Sequence, residues 1–346
     1  MSRDSPLRWR VVAAVTGAER PDAASPTGFQ QGNEAAVQVA SAQEDASRIP
    51  GAYVIEHSDA PLEVRHTVLG DLREIVAELR QCRDLVQQLM LRDIRIRYKQ
   101  AAFGFAWALL IPAAVVLAGM AVRVAFAYAT GRHVDMSQLG GMAVKAVPWA
   151  FFVGCLSSGT ASLVSNMSLV TKIYFPREVL PLSAVLAQSF DSLIGGMLVT
   201  LMVPFFGVRL TTQLLWVPVL LVLLWCLALA AALFLSRANL FFRDVKYLVQ
   251  VFLTFGIFVT PVILDAPMFG PVGSRIMMLN PVAPILEGLR LSVVGQHNLL
   301  TPYVSHAGFL FWRPWYLGYV AAWSLGGLLI SVVQFHRAER RFAEVA

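Results

Sequence analysis

Residues 214–235 read LLWVPVLLVLLWCLALAAALFL, an apolar run that contains no charged side chain. A helix needs about 20 such residues to cross the hydrocarbon core of a bilayer. Across the 346 residues, 57% are hydrophobic and 14% are charged, whereas about 25% are charged in an ordinary soluble domain. The apolar residues lie in long runs, so the sequence predicts an integral membrane protein.

Five further runs resemble this one in length or composition. The six predicted spans are 104–128, 143–166, 179–206, 214–235, 247–264 and 315–335. The third is expected to tilt or break near Pro204, and the fifth is short and ends at Pro261. Between the fifth and sixth spans, the pieces 276–279 and 285–294 are too short to cross and are predicted to be re-entrant or interfacial helices. The predicted fold is an all-α integral membrane protein of about six transmembrane helices.

The chain before the spans has two predicted parts. Residues 1–65 are rich in Ala, Gly, Pro, Ser, Gln and Glu and lack hydrophobic periodicity, which predicts a disordered cytoplasmic tail without a signal peptide. Within residues 66–100, the stretch 71–91 alternates apolar and charged residues at helical spacing and predicts an amphipathic interfacial helix. A small soluble helix is the alternative. Residues 101–346 form the predicted transmembrane domain.

Basic residues near the span ends set the predicted orientation. Arg92, Arg95, Arg97 and Lys99 form a basic collar directly before the first span, where they would meet anionic headgroups of membrane lipids. Most other span-end lysines and arginines fall on the same side, so both termini are predicted to be cytoplasmic. The net charge of +6 does not indicate nucleic-acid binding, because the basic residues lie beside apolar spans.

Two charged residues are predicted to lie inside spans, where a charge costs about 2.5–3.5 kcal/mol on insertion scales and therefore seeks a partner or water. Asp191 is near the middle of the third span. It either faces a cavity or a second subunit, or is satisfied by nearby serines or a neighbouring helix. Arg123 is expected to extend toward the outer surface.

Motifs for catalysis and for metal binding are missing from the sequence. None of the four lysines follows a glycine, so a phosphate-binding loop of the G-x-x-x-x-G-K-[ST] type is excluded. The sequence has no H-E-x-x-H and no G-x-S-x-G, and its three cysteines are far apart. We therefore predict no catalytic residues, no metal site and no cofactor on this chain.

The loop between the second and third spans, residues 168–178, carries an unusual mixture of side chains. Residues 169–182 read LVTKIYFPREVLPL. An apolar and aromatic knob beside charges suits docking into a partner's groove, although an aromatic belt before a proline-capped helix would look similar. The candidate docking residues are Lys172, Ile173, Tyr174, Phe175, Pro176, Arg177 and Glu178.

Several stretches together resemble the permeases of ABC type-2 exporters, in the branch that exports O-antigen, capsule or teichoic-acid polymers. They are RDIRIRYKQ (92–100), FGFAWALLIP (103–112), KIYFPREVLPL (172–182), NLFFRDVKY (239–247), LNPVAPILEGLR (279–290) and FHRAERRFAEV (335–345). Their order and spacing match that family from about residue 71 to residue 345. Residues 1–65 have no counterpart in the pattern.

The resemblance implies a partner set that spacing alone does not show. Such a permease forms a homodimer in the bacterial inner membrane and binds two copies of a separate ATPase subunit, which holds ATP and Mg. The loop at 172–178 would be the ATPase-coupling element, and the helix at 71–91 would touch the same subunit. Residues 265–296, here called the outer segment, would form re-entrant helices near the exit. The substrate would be a lipid-linked polysaccharide.

A sugar polymer needs a polar or protein-lined path, because each unpaired hydroxyl in hydrocarbon costs several kcal/mol. Aromatic faces on two facing subunits could line it, although ordinary helix packing is the alternative for each residue. The candidates are Phe103, Trp107, Tyr128, Trp149, Phe151, Phe152 and Asp191.

Three other functions are alternatives to polysaccharide export. An ABC type-2 permease for a drug, a lipid or a small glycolipid would have the same fold. An ion-coupled transporter would need a chain of intramembrane charges, and the sequence offers only Asp191 and Arg123. A membrane-embedded glycosyltransferase would need a paired-carboxylate or metal motif, which the sequence does not contain.

Overall fold

The structure is a computed structural model that describes residues 68–99, 106–131, 136–172, 175–202, 204, 211–305 and 308–345. The chain divides into two units, Met1–Arg65 and His66–Ala346. The predicted disordered tail, residues 1–65, lies outside the described residues. The described helices all belong to the second unit.

The first half of this unit is helical. Its helices are α1 (Val68–Gln81), α2 (Arg83–Lys99), α3 (Ala106–Thr130), α4 (Met136–Ser165), α5 (Met167–Lys172) and α6 (Val179–Met202). α1 and α2 replace the single amphipathic helix that we predicted over 71–91 and meet at Cys82. Helical hydrogen bonds still join the two, since the Cys82 N–H donates to the Glu78 carbonyl oxygen at 2.9 Å. Both pack on the rest of the unit: α1 lies against the C-terminal helix and α2 against α6.

The second half adds longer and shorter helices. They are α7 (Trp216–Phe241), α8 (Val245–Val259), α9 (Gly270–Met277), α10 (Val282–Val293), α11 (Trp315–Ala321) and α12 (Gly327–Val345). Short 3₁₀ turns, Thr212–Leu215 and Ala266–Phe269, precede α7 and α9, and a π-helical turn, Ala322–Gly326, joins α11 to α12. Strands β1 (Tyr303–Val304) and β2 (Leu310–Trp312) pair antiparallel, with Tyr303 opposite Trp312.

Four helical stretches are long and apolar enough to cross a membrane: Gln138–Ser165, Val179–Met202, Thr212–Phe241 and Trp315–Ala338. Shorter apolar helical stretches are Val116–Ala125, inside α3, and Val245–Val259. The all-α membrane fold is therefore confirmed. Six crossings remain a prediction, because the 15 residues of α8 reach only about 22 Å at 1.5 Å per residue, less than the roughly 30 Å of hydrocarbon.

α4 lies at the centre of the unit and packs against α6, α7, α3 and α10. Small buried side chains such as Cys155, Ala228 and Ala232 allow α4 and α7 to approach closely. A buried hydrogen bond joins the same two helices, with Asn239 Nδ2 donating to the carbonyl oxygen of Thr160 at 3.0 Å. The core of the unit is therefore the α4–α7 contact.

The outer segment contains two helices, as predicted, but the first occupies Gly270–Met277 and not 276–279. Asn280 separates them: its side-chain oxygen accepts from the N–H of Val282 at 3.1 Å, and its Nδ2 donates to Thr260 Oγ1 at 3.0 Å. α10 is buried along its whole length apart from Arg290, which is half-buried. The segment therefore packs into the unit and does not extend away from it.

Candidate functional site

Asp191 is held by the amphipathic helix α2. Arg97 forms an ion pair with one carboxylate oxygen of Asp191, and the Tyr98 hydroxyl donates to the other. Arg97 also donates to Gln188 Oε1 at 3.0 Å. The Asp191 side chain is 10% exposed and that of Arg97 is 36% exposed. Of the alternatives for Asp191, the structure shows a carboxylate satisfied by a neighbouring helix.

The basic collar is divided between protein contacts and exposed positions. Arg92 donates to Asp93 and, at 2.8 Å, to Asn166 Oδ1 at the end of α4. Arg95 and Lys99 are exposed, and these two are free to meet headgroups. Arg92 instead tethers α2 to the end of α4, and Arg97 tethers it to the middle of α6.

This tether leads to a prediction for Asp191→Ala. The substitution removes the acceptor of Tyr98 and the charged partner of Arg97, while Arg97 keeps its bond to Gln188 and its access to solvent. Loss of hydrogen bonds to a charged group costs about 1.5–3 kcal/mol when buried, and less where water can replace them. We expect a lower thermal unfolding temperature and faster proteolysis within α2. Asp84→Ala is the matched control, because the Asp84–Arg83 pair is exposed (78% and 83%) and contributes little. Equal effects of the two substitutions would contradict the tether.

The predicted docking loop is attached to the C-terminal helix. α5 ends at Lys172, while Ile173, Tyr174 and the Lys172 side chain lie outside the described residues. Glu178 is 3% exposed, and its Oε1 lies 3.3 Å from His336 Nδ1 of α12. Arg177 and Pro176 are half-buried.

Phe175 differs from the expectation of an exposed aromatic knob. Its side chain is 8% exposed and belongs to the hydrophobic core. Burial of an aromatic side chain gives the loop a fixed position, because the ring fills space in the core. The part of the loop available to a partner is therefore smaller than the sequence indicated.

The predicted path-lining aromatics fall into different environments. Trp149, Phe151 and Phe152 are buried in the core, with the Trp149 and Phe152 rings 6.1 Å apart. Tyr128 is 92% exposed, and the side chains of Phe103 and Trp107 lie outside the described residues. A path between two chains would be lined by surface residues, and among the predicted path-lining aromatics whose side chains are described, Tyr128 is the exposed one.

A second charged site, which the sequence did not predict, joins the outer segment to α3 and α4. Its members, here called the outer charge cluster, are Arg123, Lys145, Asp265, Glu287 and Arg290. Lys145 Nζ lies 2.6 Å from Asp265 Oδ1 and 3.4 Å from Glu287 Oε1. Arg123 Nη2 lies 2.9 Å from Asp265 Oδ2, and Arg290 Nε lies 2.7 Å from Glu287 Oε2.

Arg123 does not extend outward as expected. Its side chain is 3% exposed, because Asp265 offers it a partner and its Nε donates to the carbonyl oxygen of Ile263 at 3.0 Å. Its Nη1 donates to Gln138 Oε1 at 3.1 Å. Lys145, close to the start of the predicted span 143–166, is completely buried, as is Glu287.

The cations around Asp265 determine its protonation. Burial raises the pKa of Asp265, but the positive charges of Lys145, Arg290 and Arg123 lower it further than burial raises it, so the net pKa is below its usual value. Asp265 is therefore ionised at neutral pH. In the part of the chain that the structure describes, no group of three or more His, Cys, Asp or Glu side chains could hold a metal ion.

The four long apolar helices define a multi-pass membrane protein. The chain is 26% identical over 227 residues to the O-antigen export system permease protein RfbA of Myxococcus xanthus, covering 65% of this chain and 85% of that protein. Two proteins of the same name from Klebsiella pneumoniae are 22% and 21% identical over 273 residues, covering 76% of this chain and 95% of each. No protein-family model matches the chain. The predicted resemblance to export permeases is confirmed by these relatives.

Proposed function

We propose that the chain is the transmembrane subunit of an ATP-driven ABC exporter that moves a lipid-linked polysaccharide, such as an O-antigen, across the bacterial inner membrane. It pairs with a second copy of itself and binds two copies of a separate ATPase, which supply ATP and Mg. Both termini face the cytoplasm. The observation that carries the proposal is the alignment with three O-antigen export permeases, two of which match over 95% of their length.

The attachment of the coupling loop supports a mechanical role. α6 begins at Val179, directly after the loop, so a force on residues 172–178 acts on the start of a predicted span. Glu178 connects the loop to α12 through His336, and Asp191 connects α6 to α2 through Arg97. Because these contacts join separate helices, a closing ATPase would move α2, α6 and α12 as one body.

The chemistry of the substrate explains why the exporter would need two copies of the permease chain. A polysaccharide cannot shed its hydroxyl hydration in lipid without large cost, and Trp149, Phe151 and Phe152 fill the interior of the single chain. The conduit therefore lies between two chains. Exposed Tyr128 and the undescribed side chains of Phe103 and Trp107 are the aromatic residues proposed to line it.

Inactivation of the gene in its native host tests the proposal. We expect surface polysaccharide to disappear and lipid-linked polymer to accumulate inside the cell, with both effects reversed by the wild-type chain. The purified chain should hold an ATPase subunit and should not hydrolyse ATP without it.

Charge reversal in the loop extends the same experiment. Arg177→Glu should leave the permease in the membrane but lower export and ATPase retention, because it places a negative charge in the docking loop. Arg313→Glu is the control, an exposed arginine on the predicted outer side. Unchanged surface polysaccharide with altered drug or lipid efflux would identify a different cargo, and transport that follows an ion gradient without an ATPase would reject the proposal.

A further inference from the structure

The outer charge cluster fixes the outer segment to the spans by charge. Arg123 belongs to α3 and Lys145 to α4, while Asp265, Glu287 and Arg290 belong to the outer segment. The contacts Arg123–Asp265, Lys145–Asp265 and Lys145–Glu287 therefore cross from span to segment. A hydrogen bond adds to them inside the segment, where the N–H of Ala266 donates to Glu287 Oε1 at 3.1 Å.

The charges of the cluster do not balance. Each carboxylate already has an arginine as a partner: Asp265 pairs with Arg123 at 2.9 Å and Glu287 with Arg290 at 2.7 Å, and Arg290 Nε also lies 3.6 Å from Asp265 Oδ1. Lys145 is a third cation, is completely buried and bridges both carboxylates. Among the residues that the structure describes, the cluster therefore carries one surplus positive charge in a largely buried site, which is unfavourable for the closed arrangement.

We propose that the outer charge cluster is a releasable latch for the outer segment, and that Lys145 is the positioning residue that sets its strength through this surplus charge. The inference rests on the proposed export function, in which a path must open toward the outside. While the site is dry, the ion pairs hold the segment on α3 and α4. When the segment moves away, water enters and hydrates each charge.

The ionic nature of the contact is what makes it reversible. Exposing apolar surface to water is unfavourable over the whole area exposed, whereas separated ions regain hydration that burial had removed. Water has an entry side, since Asp265 and Arg290 are 15% and 18% exposed while Lys145 and Glu287 are at 0%. A neutral cluster would hold the segment more firmly than one with a surplus charge.

A charge cycle tests the latch. Lys145→Met makes the cluster neutral and leaves both Arg–carboxylate pairs in place. Glu287→Gln raises its net charge to two, and the double substitution returns it to the wild-type value of one. Opening is measured by the rate at which a membrane-impermeant maleimide labels a cysteine introduced by Ile263→Cys. Of the three native cysteines, Cys82 is replaced by Ser because it is partly exposed, while Cys155 and Cys226 are buried and can stay.

We expect Lys145→Met to slow both labelling and export without lowering the thermal unfolding temperature. Glu287→Gln should speed labelling, and the double variant should return toward the wild-type rate. A purely structural role gives a different pattern, in which Lys145→Met speeds labelling and the double variant is the least stable. That pattern would overturn the proposal, and so would a labelling rate that does not change with the net charge of the cluster. Labelling that follows charge in a chain that exports no polysaccharide would preserve the latch and reject the proposed function.

Discussion

Gly159→Val is expected to remove most of the folded protein from the membrane. A Cβ atom at Gly159 would lie 2.5 Å from Ala232 Cβ and 3.2 Å from Ala232 Cα, so the clash involves backbone that cannot rotate away. Overpacking of this kind usually costs about 1–3 kcal/mol, occasionally more. Here the helices α4 and α7 would have to separate. This separation would also stretch the buried Asn239–Thr160 hydrogen bond, which lies next to Gly159.

The control for this substitution is Gly196→Val. Gly196 also lies in a predicted span, α6, and a Cβ atom there would meet nothing within 4 Å. Both substitutions introduce the same β-branched residue into a helix, so propensity cancels in the comparison. The amount of monodisperse protein extracted from membranes and its melting temperature are the measurements. Similar values for the two variants would show that the α4–α7 contact does not control folding.

The membrane fold was predictable because each span is encoded locally. A run of about 20 apolar residues needs no distant partner to be recognised, and the predicted run 214–235 lies inside the helical stretch Thr212–Phe241. The bounds were less predictable where a helix continues past the apolar run. α7 extends through Arg237 and Asn239 to Phe241, because buried Asn239 finds a partner on α4.

The two charged sites were not predictable in the same way, because their meaning depends on contacts between distant residues. Arg123 and Asp265 are 142 positions apart, and Lys145 and Glu287 are also 142 positions apart. Taken alone, Arg123 looks like a residue that reaches for the surface, and Lys145 looks like a span-end charge. Only the folded arrangement shows that these cations share buried carboxylates.

Phe175 illustrates the same limit within the docking loop. Its sequence neighbours, Tyr174 and Pro176, make an exposed aromatic knob a reasonable expectation. The side chain instead enters the core, because the loop turns directly into α6 with the Val179 N–H donating to the Pro176 carbonyl oxygen at 3.2 Å. Which face of a short loop is buried depends on the helices beneath it, and local sequence does not record them.

A disulfide between α3 and the chain leading into the outer segment is expected to stop export reversibly. A Cβ atom at Gly119 would lie 3.4 Å from Ile263 Cγ2 and 3.1 Å from the flexible side-chain sulfur of Met142. Ile263 Cγ2 is one bond beyond Cβ, so the two Cβ atoms would be near the separation of about 3.5–4.5 Å found in disulfides. Gly119→Cys with Ile263→Cys should therefore cross-link under oxidant in the closed arrangement. The Arg123 contact should survive, because it uses the backbone oxygen of residue 263.

Export should fall in proportion to the fraction cross-linked and recover when a reductant opens the bond. Each single cysteine variant, treated with the same oxidant, is the control and should export normally. Because the protein folds before the bond forms, a misfolded variant cannot produce a loss that reductant reverses. Full export by fully cross-linked protein would show that this region stays on α3 throughout transport. The outer charge cluster would then be a permanent joint, and its surplus charge would need another explanation.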